Sequence, residues 1–309
     1  MDNARSQFRA GLIYGLIAYS VWGLIPLYFH RVAFVFAGEI LAHRIVWSFP
    51  IVLALVVLSS GGWAKFTAVL TDRRLVLTLL LSAGLLAVNW LLYIYATVWH
   101  RVSEASLGYY MLPLVNAFLA TLFLGEKLRP AHYPALGLIA FGVAIPSIAE
   151  GSFTWLAVVL PVSFGLYGLV RKMIAVDSLT GLTVETLLML VPSLGFIAYR
   201  ASTGHSAFGA NWETNGLLMF SGVVTVVPLL TYTLSIRRIP LLTQAFIQFI
   251  SPTVQFLLAY FYMGEAMSPE RWASIFCVWA AVLVFIADAA LAAKRARVSP
   301  PPLAVAAAE

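Results

Sequence analysis

One block of this sequence occurs twice, and the two copies are 139 residues apart with no gap between the matched positions. The copies share two prolines and a Gly-Glu dipeptide; the matched residues are Pro113 and Pro252, Gly125-Glu126 and Gly264-Glu265, and Pro130 and Pro269. Proline and Gly-Glu matches over such a distance rarely arise by chance. The chain is therefore predicted to contain two copies of one structural unit, and this duplication limits the folds it can adopt.

Composition places both copies in a membrane. The chain is 61% hydrophobic and only 10% charged, with a mean hydropathy of +0.92, whereas about a quarter of the residues in a soluble domain are charged. Apolar runs of about 20 residues follow one another along the chain, and each is long enough to cross a hydrocarbon core of about 30 Å. We expect the net charge of +6 to come from loop charges that orient these runs in the membrane. The lipid bilayer is the expected partner of the chain, and no nucleic acid is expected to bind it.

Ten of these runs are predicted as transmembrane helices, because a backbone surrounded by lipid must satisfy its own hydrogen bonds. The predicted spans are 11–29, 36–57, 75–97, 104–124, 131–148, 154–171, 182–199, 215–236, 242–263 and 271–290. Gly125 and Gly264 are expected to end helices in the left-handed conformation.

The loop charges predict the orientation. With the N-terminus in the cytoplasm, 14 of the 19 Lys and Arg residues lie on the cytoplasmic side, 4 lie on the other side, and Arg44 lies inside the second span. This bias favours cytoplasmic N- and C-termini and an even number of helices. Arg171 and Lys172 are expected to anchor the sixth span at the cytoplasmic face.

Each copy contains five spans, and because five is odd the second copy must enter the bilayer upside down. The predicted fold is an all-α polytopic membrane protein with ten transmembrane helices in two inverted five-helix repeats, N-in and C-in. The repeats are predicted at 1–150 and 151–293, followed by a disordered cytoplasmic tail at 294–309. Inverted repeats of this kind are a recurring architecture of secondary transporters.

The second span carries charged groups, which are costly in a membrane. Glu39, His43 and Arg44 lie within six residues of one another, so that Glu39 and His43 share a helix face. Two interpretations stay open. The group is either a structural Glu39–Arg44 pair in which Arg44 extends outward, or a cluster that handles substrate or protons by recognition, gating or coupling.

Aligning the two halves shows which of these residues are repeated and which occur in the first half only. Glu39 pairs with Glu185 at a spacing of 146, whereas the residues that match His43 and Arg44 are apolar. We therefore hypothesise that repeated residues such as the two glutamates serve the scaffold and that unrepeated residues serve a selective site. Glu185 joins the predicted charge, gating or coupling group.

Several other spans carry polar and aromatic side chains on one face. The predicted substrate pathway consists of Trp22, Asn89, Tyr93, Tyr110, Gln244 and Gln248. As a set they favour a central cavity, but any one of them could instead be an interhelical hydrogen-bonding residue.

Motifs of soluble enzymes do not occur in the sequence. There is no P-loop, so that the chain is not expected to hydrolyse ATP, and no histidine pair has the spacing of a zinc-binding helix. The single cysteine, Cys277, allows no internal disulfide. We expect no enzymatic activity, no cofactor and no metal site.

Longer runs of the sequence resemble a known family. The runs are LAHRIVWS (41–48), NWLLYIYA (89–96), EASLGYYMLPLVN (104–116), LGEKLR (124–129), FGLYGLVRK (164–172) and QFISPTVQFLLA (248–259). They are similar to the RarD group of EamA-type permeases in the drug/metabolite transporter superfamily, and the similarity extends over Gly11–Asp288. It implies ten helices from a duplicated five-helix unit, a bacterial inner-membrane location, and export or exchange of small organic solutes.

The functional hypothesis is a secondary-active permease that exports or exchanges small organic metabolites or drugs by alternating access. Amino-acid-like compounds and amphenicols are candidate substrates, protons are the candidate coupling ion, and the protein is expected to be a monomer or a homodimer. The alternatives are a passive channel or facilitator for small solutes, and a membrane-embedded lipid-handling or regulatory protein without transport.

Overall fold

The computed structural model describes residues 2–99, 102–149 and 155–298. Within these residues all regular secondary structure is helical. Its twelve helices are α1 (Asp2–Arg31), α2 (Ala37–Leu58), α3 (Gly62–Thr71), α4 (Arg73–Val98), α5 (Val102–Leu124), α6 (His132–Ala149), α7 (Leu156–Met173), α8 (Ser178–Ser202), α9 (Trp212–Ile236), α10 (Leu241–Ile247), α11 (Ile250–Phe261) and α12 (Pro269–Val298). The predicted tail from residue 294 begins inside α12, and its remainder lies outside the described residues.

Seven helices of the described chain are long and apolar enough to cross a membrane: α1, α2, α4, α7, α8, α9 and α12. Shorter apolar stretches lie in α5 and α6. Large hydrophobic side chains cover the outside of the bundle, and Leu58, Val191 and Phe261 are each more than two-thirds exposed. Such a surface is unfavourable in water and suits contact with lipid. The protein is a polytopic membrane protein.

Each predicted span falls on helix, with two differences from the prediction. The ninth span falls on α10 and α11, which are separate helices. The short helix α3, between the second and third spans, was not predicted. It follows Gly61, which adopts the left-handed conformation (φ 68°), and it buries Phe66 and Val69 beside α8 while Trp63 stays exposed.

Pro252 contributes to the break between α10 and α11, although the repeat-matched Pro113 leaves α5 continuous. Pro252 has no backbone N–H to donate to the Gln248 carbonyl, and its ring clashes with that carbonyl in a regular helix. The Ser251 N–H donates to the Gln248 carbonyl instead, at 3.1 Å. Gln248 and Phe249 therefore form a turn between the two helices.

Most of the main helix–helix contacts recur when each helix is replaced by its matched helix in the other half of the chain. Helix α1 packs against α9 and α11, and its counterpart α7 packs against α4 and α5. Helix α2 packs against its own counterpart α8, and α6 packs against α12. Swapping the halves therefore reproduces this set of contacts.

The repeated Gly-Glu dipeptides end helices in the same way. Gly125 and Gly264 have φ of 63° and 68°, which is the left-handed conformation that glycine tolerates. The N–H of Glu126 donates to the carbonyl six residues earlier at 3.1 Å, and that of Glu265 does so at 2.9 Å. These bonds span one residue more than the bond of a Schellman motif, and the predicted left-handed helix ends are confirmed.

Candidate functional site

A cavity of about 60 Å³ lies at the centre of the bundle. It is bounded by α1, α2, α4, α5, α7 and the α10–α11 break. A buried water needs about 10–15 Å³, so that the cavity has room for about four to six waters. Of the predicted site residues, five line it: Trp22, Arg44, Asn89, Tyr93 and Gln248.

Aromatic rings form much of the cavity wall. The indole of Trp22 lies 5.4 Å from the rings of Tyr19, Phe164 and Tyr232, measured between centroids. Edge-to-face contacts at such distances hold rings in fixed orientations. Tyr19 and Phe164 are 145 residues apart and occupy matched positions in α1 and α7, so that the two halves contribute to the same wall.

Asn89 joins three helices at the cavity. Its Nδ2 donates to the Leu160 carbonyl at 2.8 Å and to Ser163 Oγ at 3.1 Å, both on α7. Its Oδ1 accepts from the Tyr109 hydroxyl of α5 at 3.0 Å. The amide is thus used in helix packing, and it presents Tyr109 to the cavity.

Two glutamines at the α10–α11 break keep free hydrogen-bonding atoms. Gln248 Oε1 accepts from Asn116 at 3.3 Å, and Gln255 Nε2 donates to the Trp22 carbonyl and to Ser251 Oγ, each at 3.0 Å. Among the described residues, Gln248 Nε2 and Gln255 Oε1 have no hydrogen-bond partner. One donor and one acceptor are therefore left for a bound molecule.

Arg44 extends from α2 into this cavity and is 2% exposed. Its Nε donates to Thr225 Oγ1 at 2.9 Å, and its guanidinium carbon lies 4.5 Å from the Trp90 ring and 5.3 Å from the Phe29 ring. No carboxylate of the described residues lies within ion-pair distance. A desolvated cation–π contact contributes about 2 kcal/mol, whereas burying an ion costs several, so that the charge is only partly compensated.

Glu39 does not meet Arg44, and the structural Glu39–Arg44 pair is not formed. The Glu39 carboxylate instead faces the loop between α8 and α9. It accepts from the Ser206 hydroxyl and the Ala207 N–H, both at 2.8 Å, and pairs with Arg200 at 3.3 Å. Glu39 therefore fastens this loop onto α2.

His43 lies in a third environment. Its ring stacks on Phe208 of the same loop at 4.9 Å, and its Nδ1 accepts from Trp47 Nε1 at 3.3 Å. The structure thus separates the predicted cluster: Glu39 and His43 face the α8–α9 loop, and Arg44 faces the cavity.

Glu185 forms a buried ion pair that the sequence did not reveal. Its Oε1 lies 3.7 Å from Arg171 Nε and accepts from the Ser82 hydroxyl at 2.6 Å. Arg171 also donates to the Ser178 carbonyl at 3.1 Å and is 1% exposed. The interpretation of Arg171 as an interfacial anchor is therefore wrong, because its side chain turns inward to Glu185.

Lys172 also makes specific contacts near the α7–α8 turn. Its Nζ donates to the carbonyls of Ile236 and Ile239 at 3.0 and 2.9 Å, where α9 ends. Asp177 caps α8 by accepting from the Thr180 N–H at 3.0 Å. Burial acts to raise the pKa of the Asp177 carboxyl, but the hydrogen bonds from Thr180 and the charge of Lys65 outweigh it, and the pKa lies below its ordinary value.

The other two predicted pathway residues lie outside the cavity. Gln244 accepts from the Ser235 hydroxyl at 2.8 Å and donates to the Tyr19 hydroxyl at 3.4 Å, joining α10 to α9 and α1. Tyr110 is 1% exposed and packs beside Phe249 in a separate apolar cluster. Gln244 thus takes the interhelical role that was the alternative.

Comparisons with known proteins agree with this architecture. Residues 9–148 match the EamA-like transporter family. The protein RarD of Streptomyces exfoliatus is 40% identical over 95% of this chain and 93% of its own length. An uncharacterized transporter of Vibrio cholerae is 40% identical over 96% and 99%, respectively.

The chain belongs to the RarD group of EamA-like transporters. A crystal structure at 18% identity also superimposes with a TM-score of 0.66, covering 93% of this chain and 98% of the other; that likeness concerns the fold alone. As a RarD-group transporter with bacterial relatives, the protein is a multi-pass protein of the inner membrane.

In this RarD-group chain, the predicted pathway set omitted several residues of the cavity. Tyr109, Trp90, Ser251 and Gln255 all line it. One signal was available, because Tyr109 lies 139 residues before Gln248 and thus occupies its repeat-matched position. Applying the spacing to each predicted pathway residue would have selected Tyr109.

Proposed function

We propose that this protein is a secondary-active transporter that exports or exchanges small organic solutes through the central cavity. In this proposal ten helices cross the membrane as two inverted repeats, 1–150 and 151–293, with both termini in the cytoplasm. Helix α3 lies at the membrane surface and α10–α11 form one broken span. Rocking of the halves would open the cavity to each side in turn.

The observation that carries the proposal is a cavity lined by both halves of the chain, whose main helix–helix contacts recur when the halves are exchanged. Matched positions of both halves line it, as Tyr19 and Phe164 do in the first helix of each half. Because the halves are alike, a helix packing that forms at one end of the cavity can also form between the matched helices at the other end. Such an arrangement favours two conformations of similar energy, which alternating access requires.

The proposed substrates are small metabolites or drugs, with amino-acid derivatives and amphenicols as the first compounds to test. Protons are the proposed coupling ion, because the carboxyl of Glu185 is fully buried and its Oε2 has no hydrogen-bond partner in the described part of the chain. Ionisable groups in this setting serve as proton relays in other membrane proteins.

Counterflow in proteoliposomes tests the proposal. Vesicles containing the purified protein would be loaded with an unlabelled compound from the panel and then exposed to a trace of the same compound in labelled form. A transporter accumulates the label transiently and saturates with concentration, and an imposed proton gradient should change the accumulation. Flux that does not saturate and shows no counterflow would indicate a passive channel instead. A complete absence of flux for every compound tested would contradict the transporter proposal.

A further inference from the structure

The guanidinium of Arg44 presents unused donors to the cavity. Within the described residues its hydrogen bonding is limited to Nε, which donates to Thr225. The two terminal amino groups are left facing the cavity between the rings of Trp90 and Phe29. A planar guanidinium whose free edge faces an open space matches the two oxygens of a carboxylate.

The rest of the lining has no negative charge to meet a cation. Among the described residues Arg44 is the only charged side chain that lines the cavity. The two acidic groups on the neighbouring stretches of α2 and α8, Glu39 and Glu185, each pair with another arginine. An anion therefore gains the attraction of Arg44, whereas an ammonium group finds no carboxylate there.

The neighbouring groups fit an apolar body on that anion. The rings of Trp22 and Phe164 offer flat apolar surface, and Gln248 Nε2 and Gln255 Oε1 supply one free donor and one free acceptor. The present cavity of about 60 Å³ already has room for a group as small as a carboxylate.

We propose that Arg44 binds the carboxylate of an organic monoanion with an apolar or aromatic body, and that the site prefers this anion to neutral or zwitterionic analogues. The proposal rests on the proposed transport function and names its substrate class. Only the first half of the chain supplies this charge, because the position that matches Arg44 in the second half is Leu190.

Three compounds of nearly equal shape test it: 3-phenylpropionate, its neutral amide and phenylalanine. Their binding to purified protein in detergent, by isothermal titration calorimetry at neutral pH, requires no transport. We expect wild-type protein to bind the carboxylate at least tenfold more tightly than the amide and at least fivefold more tightly than phenylalanine. Equal affinities in either comparison, or no binding of the carboxylate, would overturn the proposal.

Two variants assign the preference to Arg44. Arg44→Gln should lose the tenfold difference between carboxylate and amide, and Arg44→Lys should keep a part of it. The exposed Arg31 provides the matched control, and Arg31→Gln should retain the full difference. A folded Arg44→Gln protein that keeps the preference would contradict the proposal. If that variant does not fold, the wild-type comparison decides.

The outcome is separable from that of the proposed function. Binding of the anion without counterflow would support the Arg44 site and contradict transport. Counterflow of neutral and zwitterionic compounds with no preference for the anion would support transport and contradict the Arg44 site.

Discussion

Helices α2 and α8 occupy equivalent places in the two halves and pack against each other, yet they carry different chemistry. Each has a glutamate at the matched position, and each glutamate is buried beside an arginine. Glu39 is surrounded by donors from a loop, whereas Glu185 has one hydroxyl donor and one distant guanidinium. One turn further along, α2 presents Arg44 where α8 has Leu190.

This difference separates two roles. The repeated glutamates are engaged with neighbouring helices or loops, so that their first contribution is to hold the bundle together. The unrepeated Arg44 has unused donors and faces the cavity. In the proposed duplicated scaffold, a selective site would arise where the two halves differ, and the following predictions test that comparison.

The largest expected effect is on transport. Arg44→Ala should lower the rate of counterflow of an aromatic monocarboxylate about 100-fold, because truncating a buried charge contact costs about 2–5 kcal/mol. The repeat-matched variant Leu190→Ala should stay within about threefold of wild type. Gel filtration in detergent checks that both proteins are folded. Full activity of Arg44→Ala would remove the residue from the mechanism.

The next comparison concerns the glutamates. Glu185→Gln should lower the free energy of unfolding by about 3–5 kcal/mol, because it leaves the buried Arg171 charge unpaired. Glu39→Gln should cost less, about 1–2 kcal/mol, since its amide oxygen can still accept from Ser206 and Ala207 and Arg200 is partly exposed. Denaturant unfolding in micelles measures both, and the reverse order would contradict the assignment of the more deeply buried ion pair to Glu185 and Arg171.

Two glycines of α8 offer a sharper test of the Arg171–Glu185 pair. A methyl group at Gly181 would collide with the Arg171 guanidinium, whereas one at Gly195 meets nothing within 4 Å. Gly181→Ala should therefore destabilise the protein by about 1–3 kcal/mol. Gly195→Ala should stabilise it by about 0.5–1 kcal/mol through helix propensity. Equal thermal stability of the two variants would argue against the packing around Arg171.

The smallest effect concerns the helix starts. Helix α8 has a side-chain cap from Asp177, whereas α2 begins at Phe36 without one, so that Asp177→Ala should cost about 1 kcal/mol at pH 7. Because the pKa of Asp177 is lowered in the folded protein, its contribution is present above its ordinary pKa of about 4 and is lost as pH falls through the lower folded value. Melting temperatures from pH 3 to 7 should show the difference from wild type shrinking at the acidic end.

The sequence was sufficient for features with a local or periodic signal. Apolar runs predicted where the long helices lie, and the repeated Gly125 and Gly264 predicted two helix ends. Helix α3 was missed because its ten residues are too few for a membrane-length apolar run. The break at Gln248 was missed as well, because a proline alone does not signal it: the repeat-matched Pro113 lies inside the continuous helix α5.

The candidate site was harder to predict because it depends on helix rotation and on partners far along the chain. Adjacent residues of a helix point about 100° apart, and the sequence analysis chose Tyr110 where the neighbouring Tyr109 lines the cavity. The arginine partners of Glu39 and Glu185 could not be deduced, because the loop and helix packing that brings Arg200 and Arg171 to them has no local signature. Arg44 was identified because a charged residue in a membrane span is unusual whichever way the helix is rotated about its axis.

The central claim is that the two halves are inverted in the membrane around a shared cavity, and the turns after their first helices test it most directly. Single cysteines at exposed positions of these turns, Phe34→Cys after α1 and Ala175→Cys after α7, would be introduced with Cys277→Ala. A membrane-impermeant maleimide applied to spheroplasts should label Phe34→Cys at once and Ala175→Cys only after permeabilisation. Labelling of both from the same side would contradict the inversion and the alternating-access mechanism built on it.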